Sequence, residues 1–241
     1  METLSSAGPS FLRERPLLEG IFLSRSNRFL GVVNLGGEEV EAHIADPGRL
    51  KEILIPGRKV YLQRSKNPSR KTSYDLVLVN MDGTLVSIDS RVPNELIFNA
   101  LQRRFFQEFA GYSRILREVR YGKSRLDFKL TDGSEADSFI EVKSVTLVEE
   151  KKALFPDAPS IRGARHLREL TQACSEGYKA YVIFVIQRDD VVKFSPNRQM
   201  DPEFADALKD AVSAGVLPWA YTCRVTTEGL FLHEKVEVLL E

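Results

Sequence analysis

SRLDFKLTDGSEADSFIEVKS, residues 124–144, holds two strand-like runs joined by a polar, turn-rich link. The first run carries Asp127, the second Glu141 and Lys143. Side chains alternate along a strand, so Glu141 and Lys143 share one face while Val142 points to the other. The link TDGSEAD suits a hairpin-style loop, so the strands pair antiparallel and Asp127 and Glu141 converge at one end of a sheet. Two carboxylates there form a hard oxygen site of the kind Mg²⁺ uses with several retained waters. A lysine one side chain along can orient or deprotonate a metal-bound water, or stabilise charge on a phosphorane. That is the chemistry of metal-assisted phosphodiester hydrolysis. The plainer alternative is a cross-strand salt bridge on a solvated face, and spacing alone leaves both open.

The flanking patterns place this hairpin in a larger sheet. Upstream, PNELIFNALQRRFFQEF (93–109) repeats apolar residues at Leu96, Ile97, Ala100, Leu101, Phe105 and Phe109, a helical period. Asn94 is positioned to cap it, and Glu95 falls in its first turn. Strand patterns follow over 113–121, 125–131 and 138–148. RGARHLRELTQACSEG (162–177) reads as a second amphipathic helix, with Gly177 at its end. KAYVIFVIQ (179–187) is a continuous apolar run, the mark of a central strand buried on both faces. DPEFADALKDAVSAG is a third helix and PWAYTCRVT a further strand. This order predicts a mixed sheet flanked by helices.

Residues 17–90 differ. About five short strands alternate with turn signals such as Gly36-Gly37, Pro56-Gly57 and Asp82-Gly83, with a small helical piece near 48–54. Asp82-Gly83 between apolar runs is a two-residue hairpin signal. The pattern predicts a small β-barrel of OB-fold type. The expected division is therefore residues 1–90, a nucleic-acid-binding OB-fold, and 91–241, an α/β domain.

Composition narrows the class. The 241 residues carry 34 Lys/Arg and 34 Asp/Glu, so bulk charge names no polyanionic partner. The charge is unevenly spread: residues 91–129 hold nine Lys/Arg against four Asp/Glu, and 130–241 hold thirteen against nineteen. Cys174 and Cys223 lack the clustering of a zinc site or disulfide framework and read as reduced core residues. The segment METLSSAGPSFLRERP has no apolar core of a signal peptide. The longest apolar run, 180–186, is far short of a membrane span. A cytoplasmic protein without membrane association is expected.

Asp127 with Glu141-x-Lys143, behind a helix bearing Glu95, resembles the PD-(D/E)XK nuclease motif, with Leu126 where the usual proline stands. The stretches SNRFL, DPGRL, PGRKVYL, YGKSRLDF, FIEVKSVTL, ALFPDAPSIRGARHL and DPEFADAL together resemble the sugar fermentation stimulation protein (SfsA) family, from about residue 20 to 235. The resemblance implies an N-terminal OB-fold, a C-terminal PD-(D/E)XK nuclease-like domain, and DNA binding with low sequence specificity. Asp46-Pro47-Gly48 replaces the Asn-Thr-Gly typical of bacterial members. By the nuclease motif, Glu95, Asp127, Glu141 and Lys143 form the catalytic set, and Asp127 and Glu141 hold Mg²⁺ or Mn²⁺.

Two basic clusters could carry DNA. Arg64, Lys66, Arg70 and Lys71 lie in the barrel segment, with Tyr61 and Tyr74 available to stack on bases. Arg120 and Arg125 flank the Asp127 strand. Arg162 and His166 share the polar side of the second helix, whose N-terminus could receive a phosphate. His166 is also a candidate proton shuttle. Three readings stay open: an Mg²⁺-dependent nuclease, a non-catalytic DNA-binding regulator of sugar catabolism on a nuclease-derived scaffold, and an RNA-binding or interaction protein.

Overall fold

A computed structural model describes residues 8–67 and 69–240. The opening residues 1–7, part of the segment read above for a signal peptide, lie outside it. The strands in chain order are β1 (Ser10–Leu12), β2 (Leu18–Asn27), β3 (Leu30–Leu35), β4 (Glu38–His43), β5 (Lys59–Arg64), β6 (Tyr74–Met81) and β7 (Thr84–Ser87). Helix α1 (Val92–Gln102) follows, then β8 (Arg114–Tyr121), β9 (Ser124–Thr131), β10 (Ser138–Val145), β11 (Val148–Glu149) and β12 (Lys152–Phe155). The remainder is α2 (Ile161–Ser175), β13 (Lys179–Ile186), β14 (Lys193–Pro196), α3 (Pro202–Ser213), β15 (Leu217–Val225) and β16 (Gly229–Val238).

β2 to β7 form the OB-type barrel. The sheet runs β4-β3-β2-β5-β6-β7 and closes through a parallel β4–β6 pairing, Ala42 opposite Tyr74 and His43 opposite Asp75. Closure buries Phe22, Val33, Leu62, Leu76 and Val79 inside. The Asp82-Gly83 signal holds: both residues have positive φ, 53° and 102°, and join β6 to β7. The expected helical piece near 48–54 is instead a series of turns.

The second sheet runs β11-β12-β14-β16-β15-β13-β10-β9-β8, with parallel pairing at its centre and antiparallel hairpins towards the β8 edge. β13 fulfils the reading of its apolar run. Tyr181, Ile183 and Val185 enter the core under α1, while Val182, Phe184 and Ile186 enter the core under α2 and α3. The result is helix, sheet, helix, the layering that buries both faces of a central strand.

β1 precedes the barrel in sequence but pairs with β16, Ser10 opposite Phe231. A three-residue strand has no periodic signal, and its partner lies more than two hundred residues away. The two modules are also tied directly. Ser87 Oγ donates to Gln187 Oε1 at 2.7 Å, and Arg49 N–H donates to Asp157 Oδ2 at 2.7 Å.

Candidate active site

β9 and β10 pair through Ser138–Leu130, Phe139–Lys129 and Ile140–Phe128, and there the ladder ends. β10 continues alongside β13 as far as Val145 opposite Ile186, while β9 stays with β8. The two strands therefore fork at Asp127 and Glu141. The Val142 N–H that the broken ladder would orphan donates instead to Asp127 Oδ2 at 2.7 Å. Asp127 is thus part of the fork's own hydrogen bonding.

The other Asp127 oxygen, Oδ1, accepts from Asn94 Nδ2 at 2.7 Å. This corrects the expected role of Asn94. α1 begins at Val92 with Pro93 in its first turn and no side-chain cap, so Asn94 lies inside the helix and its amide is free to reach β9. Glu95 is engaged elsewhere. It forms an ion pair with Arg117, including Nη1 to Oε2 at 3.2 Å, and both side chains are substantially exposed. Arg117 also stacks over Phe98, 4.5 Å from the ring centroid. The expected third acid is therefore already neutralised, and Asn94 occupies the place beside Asp127.

Glu141 and Lys143 share a face as their spacing requires. Glu141 is only 3% exposed and Lys143 9%. Lys143 Nζ donates to Glu141 Oε1 at 2.6 Å. His166 Nδ1 bonds to the same oxygen, and Arg162 Nε donates to His166 Nε2 at 3.2 Å. With Nε2 accepting, Nδ1 carries the proton donated to Glu141. His166 is 2% exposed, so the expectation that it contacts nucleic acid is corrected: it faces the sheet. α2 presents it there because Ala164, Leu167 and Leu170 anchor the same side of the helix in the core.

The two carboxylates are tuned in opposite directions. Burial pushes Asp127 up to about 7, and the nearby negative charge of Glu141 adds to the rise. Burial also acts on Glu141, but Lys143 and His166 outweigh it and hold its carboxyl below the ordinary range. Glu141 Oε2 remains buried with no hydrogen-bond partner. A buried, unmatched carboxylate oxygen is costly, so this oxygen is available to an electropositive partner. No cluster of three His, Cys, Asp or Glu able to hold a metal occurs among the described residues. Two carboxylates are hard oxygen donors, of the kind that suits a hard cation whose shell is completed by water or phosphate, whereas zinc favours nitrogen and sulfur.

The comparisons with known proteins agree with this architecture. A family model for the sugar fermentation stimulation protein RE domain matches residues 91–229, and one for the SfsA N-terminal OB domain matches 23–88. The chain belongs to the sugar fermentation stimulation protein (SfsA) family. The sugar fermentation stimulation protein homolog of Moorella thermoacetica is 49% identical over 93% of this chain and 97% of its own. That of Alkaliphilus metalliredigens is 44% identical over 92% and 96%. The solved structure of Pyrococcus furiosus SfsA in complex with Ca²⁺ is 33% identical, with a TM-score of 0.87 over 95% of this chain and 98% of that one.

Within this SfsA fold the basic residues divide into committed and free. Arg70 is committed: it pairs with Asp75 at 3.0 Å and donates to the carbonyls of Thr72 and Tyr74, so it braces the barrel and is not the free cation expected. Lys66 pairs with Glu14 at 2.5 Å, and Arg64 lies over the Tyr74 ring at 5.5 Å. Lys71 is exposed. Arg120 and Arg125 face each other across β8 and β9, both exposed, with Glu118 3.7 Å from Arg125. Arg162 is exposed at the start of α2.

Proposed function

We propose that this protein binds DNA with low sequence specificity and hydrolyses its phosphodiester bonds with Mg²⁺ or Mn²⁺ at the β9–β10 fork. The observation that carries the reading is Glu141: a buried carboxylate with one oxygen held by Lys143 and His166 and the other unpartnered, next to Asp127. Asp127 and Glu141 would hold the cation, which supplies charge neutralisation and an activated water at the scissile phosphate. Asn94 and the Val142 N–H fix the Asp127 carboxylate. Lys143 stands beside Glu141 to stabilise negative charge gathering on the phosphoryl oxygens. Glu95, paired with Arg117, is left out of this set. That Pyrococcus furiosus SfsA was solved in complex with Ca²⁺ supports binding of a divalent cation by a protein of this fold. The two free cysteines fit a reducing compartment, and no helix among the described residues is long and apolar enough to cross a membrane.

Incubation with single-stranded, duplex and branched DNA in Mg²⁺ or Mn²⁺, beside calorimetric titration of Mn²⁺, tests the proposal. Expected are heat of binding and metal-dependent cleavage. Absence of both from the wild-type protein would overturn hydrolysis and leave a DNA-binding regulator, with Lys143–Glu141 a structural ion pair.

A further inference from the structure

Phe29 sits at the turn between β2 and β3 and is 47% exposed. It is nonetheless held firmly. Its N–H donates to Asn27 Oδ1 at 2.8 Å, and its carbonyl accepts from Ile44 N–H at 2.9 Å. His43 Nδ1 lies 3.2 Å from that same carbonyl, and the two rings stack at 27°, centroids 6.5 Å apart. An aromatic ring fixed in water gains little from burial, and a barrel of this type uses such rings as base platforms.

The charges around it point the same way. Arg28, Arg49 and Lys51 are exposed, and among the described residues their side chains make none of the hydrogen bonds or ion pairs that occupy Lys66 and Arg70. Arg25 binds the carbonyls of Arg28, Gly48 and Arg49, fixing the Phe29 turn against the 46–50 loop. Glu41, on the face of β4 that carries His43, repels phosphate, whereas Arg28 and Arg49 attract it. A strand lying on Phe29 would thus place its phosphates towards Arg28 and Arg49.

Asp157, which accepts from the Arg49 N–H, lies just ahead of α2. The first turn of α2 exposes Ile161, at 79%, and Arg162, and Arg162 bonds to His166 beside Glu141.

We infer that Phe29, backed by His43, is a base-stacking platform for single-stranded DNA, and that Arg28 and Arg49 hold the adjoining phosphates. The inference rests on the DNA-binding part of the proposed function and names its substrate as a single strand.

The test uses the full chain in metal-free buffer containing chelator. Fluorescence anisotropy would follow a labelled oligothymidylate and a duplex of equal length, for wild type, Phe29→Ala and Phe29→Trp. Phe29→Ala should weaken single-strand binding on the order of 10- to 100-fold while leaving duplex binding unchanged. Phe29→Trp should keep the affinity, and the oligonucleotide should quench its fluorescence. The one native tryptophan, Trp219, is buried and gives a steady background. Unchanged single-strand affinity in Phe29→Ala, an equal loss for duplex, or an unquenched Phe29→Trp at saturating DNA would each overturn the platform. The Phe29→Trp signal decides the matter should Phe29→Ala fail to fold. If the wild type binds the strand by this platform yet never cleaves it, hydrolysis fails and the platform stands.

Discussion

The two flanks of the β9–β10 fork each carry acids, and they treat them differently. On the α1 flank, Glu95 lies near the surface in an ion pair with Arg117. On the α2 flank, Glu141 is buried and shares one oxygen between Lys143 and His166. Surface pairs of the first kind contribute little, because water screens them and both side chains lose freedom. A buried carboxylate is different: it is tolerated only where charge and hydrogen bonds compensate the lost hydration. Acids of one type thus end as a screened surface pair and a buried carboxylate compensated by a lysine and a histidine.

The largest expected effect comes from breaking the α2 flank. Glu141→Gln and Lys143→Ala should each lower metal-dependent cleavage on the order of 100-fold or more. DNA binding in metal-free buffer should persist, since neither residue belongs to the exposed basic patches. Lys143→Ala should also cost about 3 kcal/mol of stability in denaturant unfolding, because Glu141 keeps its charge but loses its main cation. A Lys143→Ala protein as stable and active as wild type would erase the contrast between the flanks.

His166→Ala sharpens the same flank at one remove. His166 is buried and bonds to Glu141, so it acts on the site as a positioning residue. Its loss should lower Mn²⁺ affinity in calorimetry by on the order of 10- to 100-fold, the usual cost of removing a group that orients a ligand. Unchanged Mn²⁺ affinity would mean that Lys143 alone fixes the carboxylate.

What was legible in the sequence follows from range. Alternation put Glu141 and Lys143 on one face, and the apolar run of β13 announced a strand buried on both sides, because both signals are local. Asp82-Gly83 fixed its turn for the same reason. The burial of His166 was not legible: it sits on the polar-looking side of α2 and is covered only because β10 offers Glu141 as a partner. The Asn94–Asp127 bond spans 33 positions and competed with an ordinary capping role. Arg70 read as a free cation, although Asp75 lies only five residues on, because the local turn that folds its guanidinium back onto that carboxylate carries no periodic signal. Phe29 gave no signal as a lone aromatic in a turn; its exposure and its stacking on His43 appear only in the folded barrel.

Asp46 supplies a control for the burial argument away from the fork. It is 8% exposed, and Gly48 N–H donates to its Oδ1 at 2.7 Å. Burial pushes its carboxyl up to about 6, with the charge of Asp157 adding to the rise and Arg25 opposing it. The folded protein therefore binds this proton more tightly than the unfolded chain. The resulting stability is present at low pH and is lost as pH rises from about 4 to about 6. Asp46→Asn keeps an acceptor for Gly48 and removes the charge. It should gain about 3 kcal/mol over wild type at pH 8 and nothing near pH 4, read from denaturant unfolding at both values. An Asn variant less stable at pH 8 would show that Arg25 compensates Asp46 as fully as Lys143 and His166 compensate Glu141.

The smallest effect belongs to Glu95, and it tests the comparison most directly. Its partner Arg117 is held twice, by Glu95 and by the face of Phe98, so removing the carboxylate leaves the guanidinium stacked and in water. A double-mutant cycle on Glu95 and Arg117 should give a coupling below about 1 kcal/mol, further reduced by salt. Glu95→Gln should cleave within about twofold of wild type, since the energy at stake is only that of a screened pair. The alternative is that an incoming phosphate draws Arg117 away and frees Glu95 to face the cation beside Asp127. Glu95→Gln would then lose cleavage on the scale of Glu141→Gln, and Arg117→Ala would lower DNA affinity while leaving Mn²⁺ binding intact. In that case the α1 flank is a latched half of the site, opened by substrate.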